Sequence, residues 1–496
     1  MSFPLRRTLA RRAGWPPVAW FARVSILLAV AVFGFADFGS GSDLRSEIDR
    51  ILSDPRLGDT RLGARVVDLD AGGVVYSVHA EEPFIPASNM KIVVSAAALD
   101  RLGADWSFVT RIYTRGAVQG GELRGDLVVW GNGDPNLSGR FYQDDPLYLP
   151  RGWVARLRER GVRNIRGDVV LDDCAFDREY RHPSWDPAQN DSWYQAPVSA
   201  LSFNDNCIDV LVAAGEIGAP ARVSLRPTTS YVRLENRLRT TRGGRAELRL
   251  VRRKGNSWVL DGTLPSGSTQ RVLWATVEDP SLFLGTVLAE EFIRQGGAIS
   301  GVVRMVSAPV VGKDSNLTLL VEQRSKLSDT IPIMNQRSQN LYAECVLKAL
   351  GLACCGRGTF ADGARAVGDF LQKAGLPPDQ YVISDGSGLS RDGRLSPLVL
   401  TEVLAKIYRS PDADVFVNSL AEPGQGTLRR RLLGGEVEGR IFAKTGYIRS
   451  VSALSGYVFS RSGRAFAFSI LVNDLRCSTA VVKSCQDEVC RTLANQ

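Results

Sequence analysis

The sequence is poor in histidine: His79 and His182 are the only two in 496 residues. Serine hydrolysis usually relies on a histidine base beside the nucleophile. His79 falls in a hairpin strand and His182 in a Pro/Trp-rich loop, neither a catalytic setting, so a Ser-His mechanism is disfavoured. No pair of Cys-x-x-Cys spacings occurs, which removes the usual zinc framework; the sequence calls for no metal and no other cofactor. Basic runs such as Arg429-Arg430-Arg431 are short. No nucleic-acid-binding motif accompanies them, so they read as solvated surface.

Long apolar runs are missing as well. The stretch from Val24 to Phe35 falls short of the roughly 20 residues that a spanning helix needs. Arg6, Arg7, Arg11, Arg12 and Arg23 flank its amino-terminal side and the small residues Gly34 and Ala36 mark its end, the order of a signal peptide over residues 1–36. Cleavage would remove five arginines and no acidic residue, taking the formal charge from +8 to +3. The expected mature protein is mildly basic and periplasmic or otherwise extracytoplasmic. Retention of the segment as an anchor is the alternative, and would give peripheral membrane association.

What remains has ordinary globular composition, 44% hydrophobic and 23% charged. Its length suggests several domains, at roughly 100–200 residues each. Eight cysteines, an even number in an apparently exported chain, permit disulfides. Proximity suggests Cys174 with Cys207, Cys345 with Cys354 or Cys355, and Cys477 with Cys485 or Cys490.

Arg65 to Tyr76 alternates around Ala71-Gly72-Gly73, as a hairpin does. A helix is expected from Ser88 to Gly103, apolar on nearly every side and therefore buried. From about Trp106 to Val306 short β-like runs dominate. Beyond them Ser338 to Leu350 and Gly363 to Ala374 are helical in pattern. Gly439 to Tyr447, Ser450 to Phe459 and Arg464 to Asn473 read as successive strands, and Thr479 to Leu493 as a closing helix. An antiparallel sheet joined to helices from both chain ends implies one discontinuous α+β domain, residues 43–105 and 307–496, interrupted by β-rich insertion 106–306.

Lys91 is the odd residue in the expected apolar helix. Residues i and i+3 share a helix face, so its amine would sit beside the Ser88 hydroxyl. Burial lowers a lysine pKa, and the helix amino terminus disfavours a cation there; both effects push Lys91 toward a competent base. Ser-x-x-Lys alone occurs by chance in most chains of this length. Two further motifs add weight: Ser338-Gln339-Asn340 at the start of a predicted helix and Lys444-Thr445-Gly446 on a predicted strand, in the order found in penicillin-binding proteins and class A β-lactamases.

With these motifs the chain resembles the class C low-molecular-mass penicillin-binding proteins, D-alanyl-D-alanine carboxypeptidases and endopeptidases. The resemblance spans nearly all of the expected mature chain. It rests on Pro86-Ala87-Ser88-Asn89-Met90-Lys91, Gly133-Asp134-Pro135-Asn136-Leu137, Ala196 to Ser202, Ser338-Gln339-Asn340, Asp385 to Arg391, Gly426-Thr427-Leu428 and Lys444-Thr445-Gly446. Gln339 departs from the Asp that relatives often carry.

The resemblance implies a β-lactamase/transpeptidase-like domain with a long insertion. It also implies a serine peptidase acting on peptidoglycan stem peptides and acylated by β-lactams. Ser88 would attack the D-Ala-D-X carbonyl after Lys91 takes its proton, and Ser338 and Lys444 would pass a proton to the leaving amine. Asn340 would fix the substrate backbone, Lys444 and Thr445 would bind its terminal carboxylate, and Gly446 would admit its close approach. The N–H groups of Ser88 and Tyr447 would hold the oxyanion. The Asp385 to Arg391 loop is expected to shape the cleft.

Overall fold

Near the carboxyl end, Ile441–Ile448, Val451–Phe459 and Ala465–Asn473 are almost continuously buried runs, the pattern of strands covered on both faces. They pair antiparallel in that order. Ala465–Asn473 then pairs with Arg61–Asp68 without a register break, from Arg61 opposite Asn473 to Asp68 opposite Phe466. Arg61–Asp68 turns through Gly72, at φ +73°, into Val74–Val78. The result is a five-stranded sheet that joins both ends of the described chain, with Ile441–Ile448 at one edge. The computed structural model describes residues 40–496, so the expected export segment lies outside the described residues.

One face of the sheet is covered by the Ser40–Leu52 and Thr479–Ala494 helices. The other face meets a helical layer that includes Met90–Leu102, Asn340–Cys355 and Pro397–Tyr408. Met90–Leu102 is buried from Met90 through Leu99, and its end is set by Gly103, whose φ of +80° lets its N–H donate to the Leu99 carbonyl. That close suits glycine, which adopts positive φ without a Cβ penalty. Among the described residues no helix is long and apolar enough to cross a membrane.

Between Leu102 and Leu327 lies a separate body with its own apolar core. It contains a seven-stranded, a four-stranded and a three-stranded sheet. Its strands are not all antiparallel: Val169–Asp172, for example, runs parallel to both Glu122–Gly131 and Val303–Met305. The expected boundary at residue 306 needs correction. Leu317–Lys326 pairs along Ser107–Gln119, from Leu317 opposite Arg115 to Lys326 opposite Ser107, so the insertion closes at Lys326 and the peptidase domain resumes with the Leu327–Gln336 helix.

The expected disulfides are also corrected, since all eight cysteines are free thiols. Cys345, Cys354 and Cys355 share the Asn340–Cys355 helix. At 1.5 Å of rise per residue, positions nine or ten apart lie about 13–15 Å from one another, beyond the ~7 Å that a disulfide spans. Cys485 and Cys490 lie within the Thr479–Ala494 helix and Cys477 just before it, all three as free thiols.

Candidate active site

Ser88 sits in a single 3-10 turn, Ala87–Asn89, from which the Met90–Leu102 helix continues. Lys91, fully buried, lies on the first turn of that helix. Its Nζ is 3.0 Å from Ser88 Oγ and donates to Asn340 Oδ1 and to the Ser387 carbonyl, both at 2.8 Å. A neutral amine has two hydrogens and one lone pair. With both hydrogens given to pure acceptors, the lone pair is left facing the Ser88 hydroxyl. Burial draws Lys91 down to about 7, against the opposing pull of the Glu344 and Asp385 carboxyls.

A second serine–lysine pair stands across the cleft. Lys444, also fully buried, donates to Ser338 Oγ at 2.9 Å and to the Thr445 carbonyl at 2.8 Å. Burial and then the nearby Lys91 hold its amine well below the ordinary lysine range. Ser338 occupies the left-handed region at φ 57°, as does Ala87 at φ 45°. Non-glycine residues persist there only when their surroundings fix them, and such positions cluster at functional sites.

The edge strand carries the remaining expected residues. The N–H and C=O of Ala443 both bond outward, to Ala421, away from the neighbouring strand. Antiparallel pairing alternates with period two, so Thr445 and Tyr447 also present their backbone groups to the open edge beside the cleft. The Tyr447 side chain is 60% exposed and its ring centroid lies 5.8 Å from Lys483 Nζ; only its backbone is placed for chemistry.

Gly446 packs closely on the nucleophile turn. A Cβ there would lie 2.9 Å from both the Pro86 carbonyl and Asn89 Nδ2 and 3.0 Å from Ala453 Cβ. The missing side chain therefore lets the strand close on the nucleophile turn, and Asn89 Nδ2 ties the two by donating to the Lys444 carbonyl at 3.2 Å.

Asn340 is engaged on two sides. Its Oδ1 orients Lys91, and Nδ2 donates to the Tyr194 carbonyl at 2.8 Å. A side-chain amide has two N–H groups, so one remains for substrate. Gln339, which departs from the family pattern, donates through Nε2 to Asp205 at 2.9 Å, and Asp205 also pairs with Arg140. An Asp at 339 would set two carboxylates together here.

Tyr194 and Asp205 belong to the insertion, which thus forms part of the site. Trp185 Nε1 donates to Asp385 Oδ2 at 2.8 Å and Ser184 Oγ to Ser390 Oγ at 2.7 Å. Sequence reasoning missed these contacts and missed Glu344 altogether. The latter had a signal: a carboxylate one turn beyond Asn340 on a predicted helix. His79 and His182 stand apart from the centre, bonding to the Leu62 carbonyl and to Ser184. Among the described residues no group of His, Cys, Asp and Glu side chains is arranged to hold a metal ion.

Two serine–lysine pairs, an amide and an open strand edge define a centre for serine acyl transfer. The chain belongs to the D-Ala-D-Ala carboxypeptidase 3 (S13) family, which it matches over residues 44–496. It is 33% identical to a D-alanyl-D-alanine carboxypeptidase of Actinomadura sp. over 87% of this chain and 81% of that protein. It is 26% identical to D-alanyl-D-alanine carboxypeptidase DacB of Haemophilus influenzae, over 78% and 80% respectively. The crystal structure of penicillin-binding protein 4 from H. influenzae superposes with a TM-score of 0.76 at 22% identity, covering 92% of this chain and all of that one. The shared α+β fold with its long insertion is the one the resemblance implied.

Proposed function

We propose that the protein is a serine D-alanyl-D-alanine carboxypeptidase, with endopeptidase capacity, working through an acyl-enzyme on Ser88 with Lys91 as its base. The observation that carries this reading is the triple coordination of Lys91 Nζ, which leaves its lone pair to Ser88. Ser88 Oγ attacks the carbonyl of a D-Ala-D-X bond as its proton passes to Lys91. The N–H groups of Ser88 and Tyr447 receive the developing oxyanion, as donors fixed in place before the charge forms. The proton that Lys91 has taken passes through Ser338, paired with Lys444, to the departing amine, which leaves Lys91 free again as a base. Water then hydrolyses the ester, its proton returning through Lys91.

Lys444 and Thr445 bind the terminal carboxylate, and the outward backbone groups of the Ile441–Ile448 edge pair with the extended peptide as an added strand. β-Lactams enter as mimics of the same peptide and acylate the same serine. The substrate is a stem peptide of peptidoglycan, so the enzyme acts outside the cytoplasm, and the arginine-rich, apolar residues 1–36 support export.

Incubation with monomeric pentapeptide muropeptides and with cross-linked dimers tests the assignment. Release of D-Ala from the first, with slower cleavage of the second, is expected. Failure to release D-Ala or to cleave dimers would overturn it.

A further inference from the structure

The mechanism above uses Lys91 but leaves unexplained what aims the acceptors around it. Ser387 offers a backbone carbonyl from a loop, and loops are ordinarily poor platforms for a fixed hydrogen bond. Here the loop is gripped from below. Glu344, fully buried on the Asn340–Cys355 helix, accepts the Gly386 N–H through Oε2 at 2.7 Å and the Ser387 N–H through Oε1 at 2.8 Å. Asp385, equally buried, accepts the N–H groups of Gly388 and Ser390, each at 2.8 Å, and the Trp185 indole.

The loop is also pressed from both sides. A Cβ on Gly386 would lie 2.5 Å from the Ala343 carbonyl, and one on Gly388, at φ +74°, would lie 1.8 Å from the Ala87 carbonyl. It is therefore clamped between the helix that carries Glu344 and the turn that carries Ser88.

We propose that Glu344 is a positioning residue for acylation. Its two carboxylate oxygens hold the Gly386 and Ser387 amides so that the Ser387 carbonyl is aimed at Lys91 Nζ, which fixes the direction of the lysine lone pair toward Ser88. This role rests on the Ser88–Lys91 reading and extends it.

The charges facing Glu344 support a link to the base. Asp385 faces it from the loop and Lys91 from the nucleophile helix. Lys444 faces Lys91 from the edge strand. On its own helix Lys348 lies one turn on, where it is paired with Asp177 at 2.6 Å. Burial, then Asp385, push Glu344 up, whereas the Ser387 and Gly386 N–H groups, one on each oxygen, and Lys91 act in the opposite sense and favour the ionised carboxylate. An ionised Glu344 favours the lysine ammonium, so its removal lowers the pH at which Lys91 becomes a free amine.

Glu344→Gln is nearly isosteric but turns an amide N–H toward one of the two backbone N–H groups, so the double grip is lost. The test is the second-order rate of acylation by a fluorescent penicillin from pH 5 to 9, for the full chain, its E344Q variant and its E344D variant, with thermal midpoints alongside. The expected result for E344Q is a plateau rate at least tenfold lower, with the acid limb displaced downward by about one pH unit, the scale of a lost opposite charge. E344D, which keeps the charge, should retain the wild-type acid limb. A profile for E344Q that superimposes on the wild type overturns the proposal. So does a lower plateau with an unmoved acid limb and a reduced melting point, which would mark Glu344 as a support of the fold alone. Absence of acylation in the wild-type chain would overturn the acyl-enzyme reading itself, and this role with it.

Discussion

Replacing Gly446 with alanine tests how the edge strand meets the nucleophile turn. The added carbon would lie 2.9 Å from the Pro86 carbonyl and from Asn89 Nδ2, and 3.0 Å from Ala453 Cβ. Ordinary contacts of this kind settle at about 3.5–4.0 Å, so strand and turn must part by about 0.5 Å or more. Only the Asn89 amide can yield by rotating, because the Pro86 oxygen belongs to the backbone and the Ala453 Cβ is fixed to the paired strand. Overpacking of this sort costs about 1–3 kcal/mol. If the displacement carries Lys444 and the Tyr447 N–H away from Ser88, that range corresponds to a 5- to 150-fold slower acylation at about 1.4 kcal/mol per tenfold. Stopped-flow acylation by a fluorescent penicillin would read it, and a centre near tenfold is expected. Adding Asn89→Ala removes one of the three close contacts but also the tie to the Lys444 carbonyl, so the double variant should recover only part of the rate. A G446A protein that acylates within twofold of wild type, with an unchanged melting point, would refute this account of the glycine.

Acylation should rise as pH increases through about 7, the value to which burial draws Lys91, because only the unprotonated amine can accept the serine proton; below that point the rate should fall about tenfold per unit, and a rate flat from pH 5 to 8 would contradict it. Trp185→Phe removes the indole donor to buried Asp385, which should cost about 1–3 kcal/mol and lower the melting point in a thermal scan while Ser88 labelling persists at a reduced rate. Thiol titration of the unreduced, denatured protein should return eight free thiols; a count lower by a multiple of two would contradict the assignment of free cysteines.

Much of the catalytic domain was legible in the sequence. The expected strands Gly439 to Tyr447, Ser450 to Phe459 and Arg464 to Asn473 differ from the observed ones by only a few residues, because fully buried strands are written as near-continuous apolar runs. Lys91 stood out because a cation in the apolar first turns of a helix demands a partner. The insertion was less readable. Leu317–Lys326 is largely half-buried or exposed, so its hydrophobic signal is weak, and it is held by a partner some 200 residues earlier in the chain. Pro332 inside the Leu327–Gln336 helix further blurred the boundary.

Within the site, side-chain identity revealed the residues of the motifs and concealed the backbone. Ser387 contributes a carbonyl to Lys91 and Tyr194 another to Asn340, neither of which leaves a compositional trace. The free cysteines show the converse limit, since nearness in sequence within one helix is distance in space.

The central claim is that Ser88 forms the acyl-enzyme. Intact-protein mass spectrometry after incubation with benzylpenicillin, followed by peptide mapping, tests it most directly. A single penicilloyl adduct on the peptide containing Ser88, absent from Ser88→Ala, is the predicted result. An adduct on any other residue, or full labelling of the S88A protein, would contradict the account.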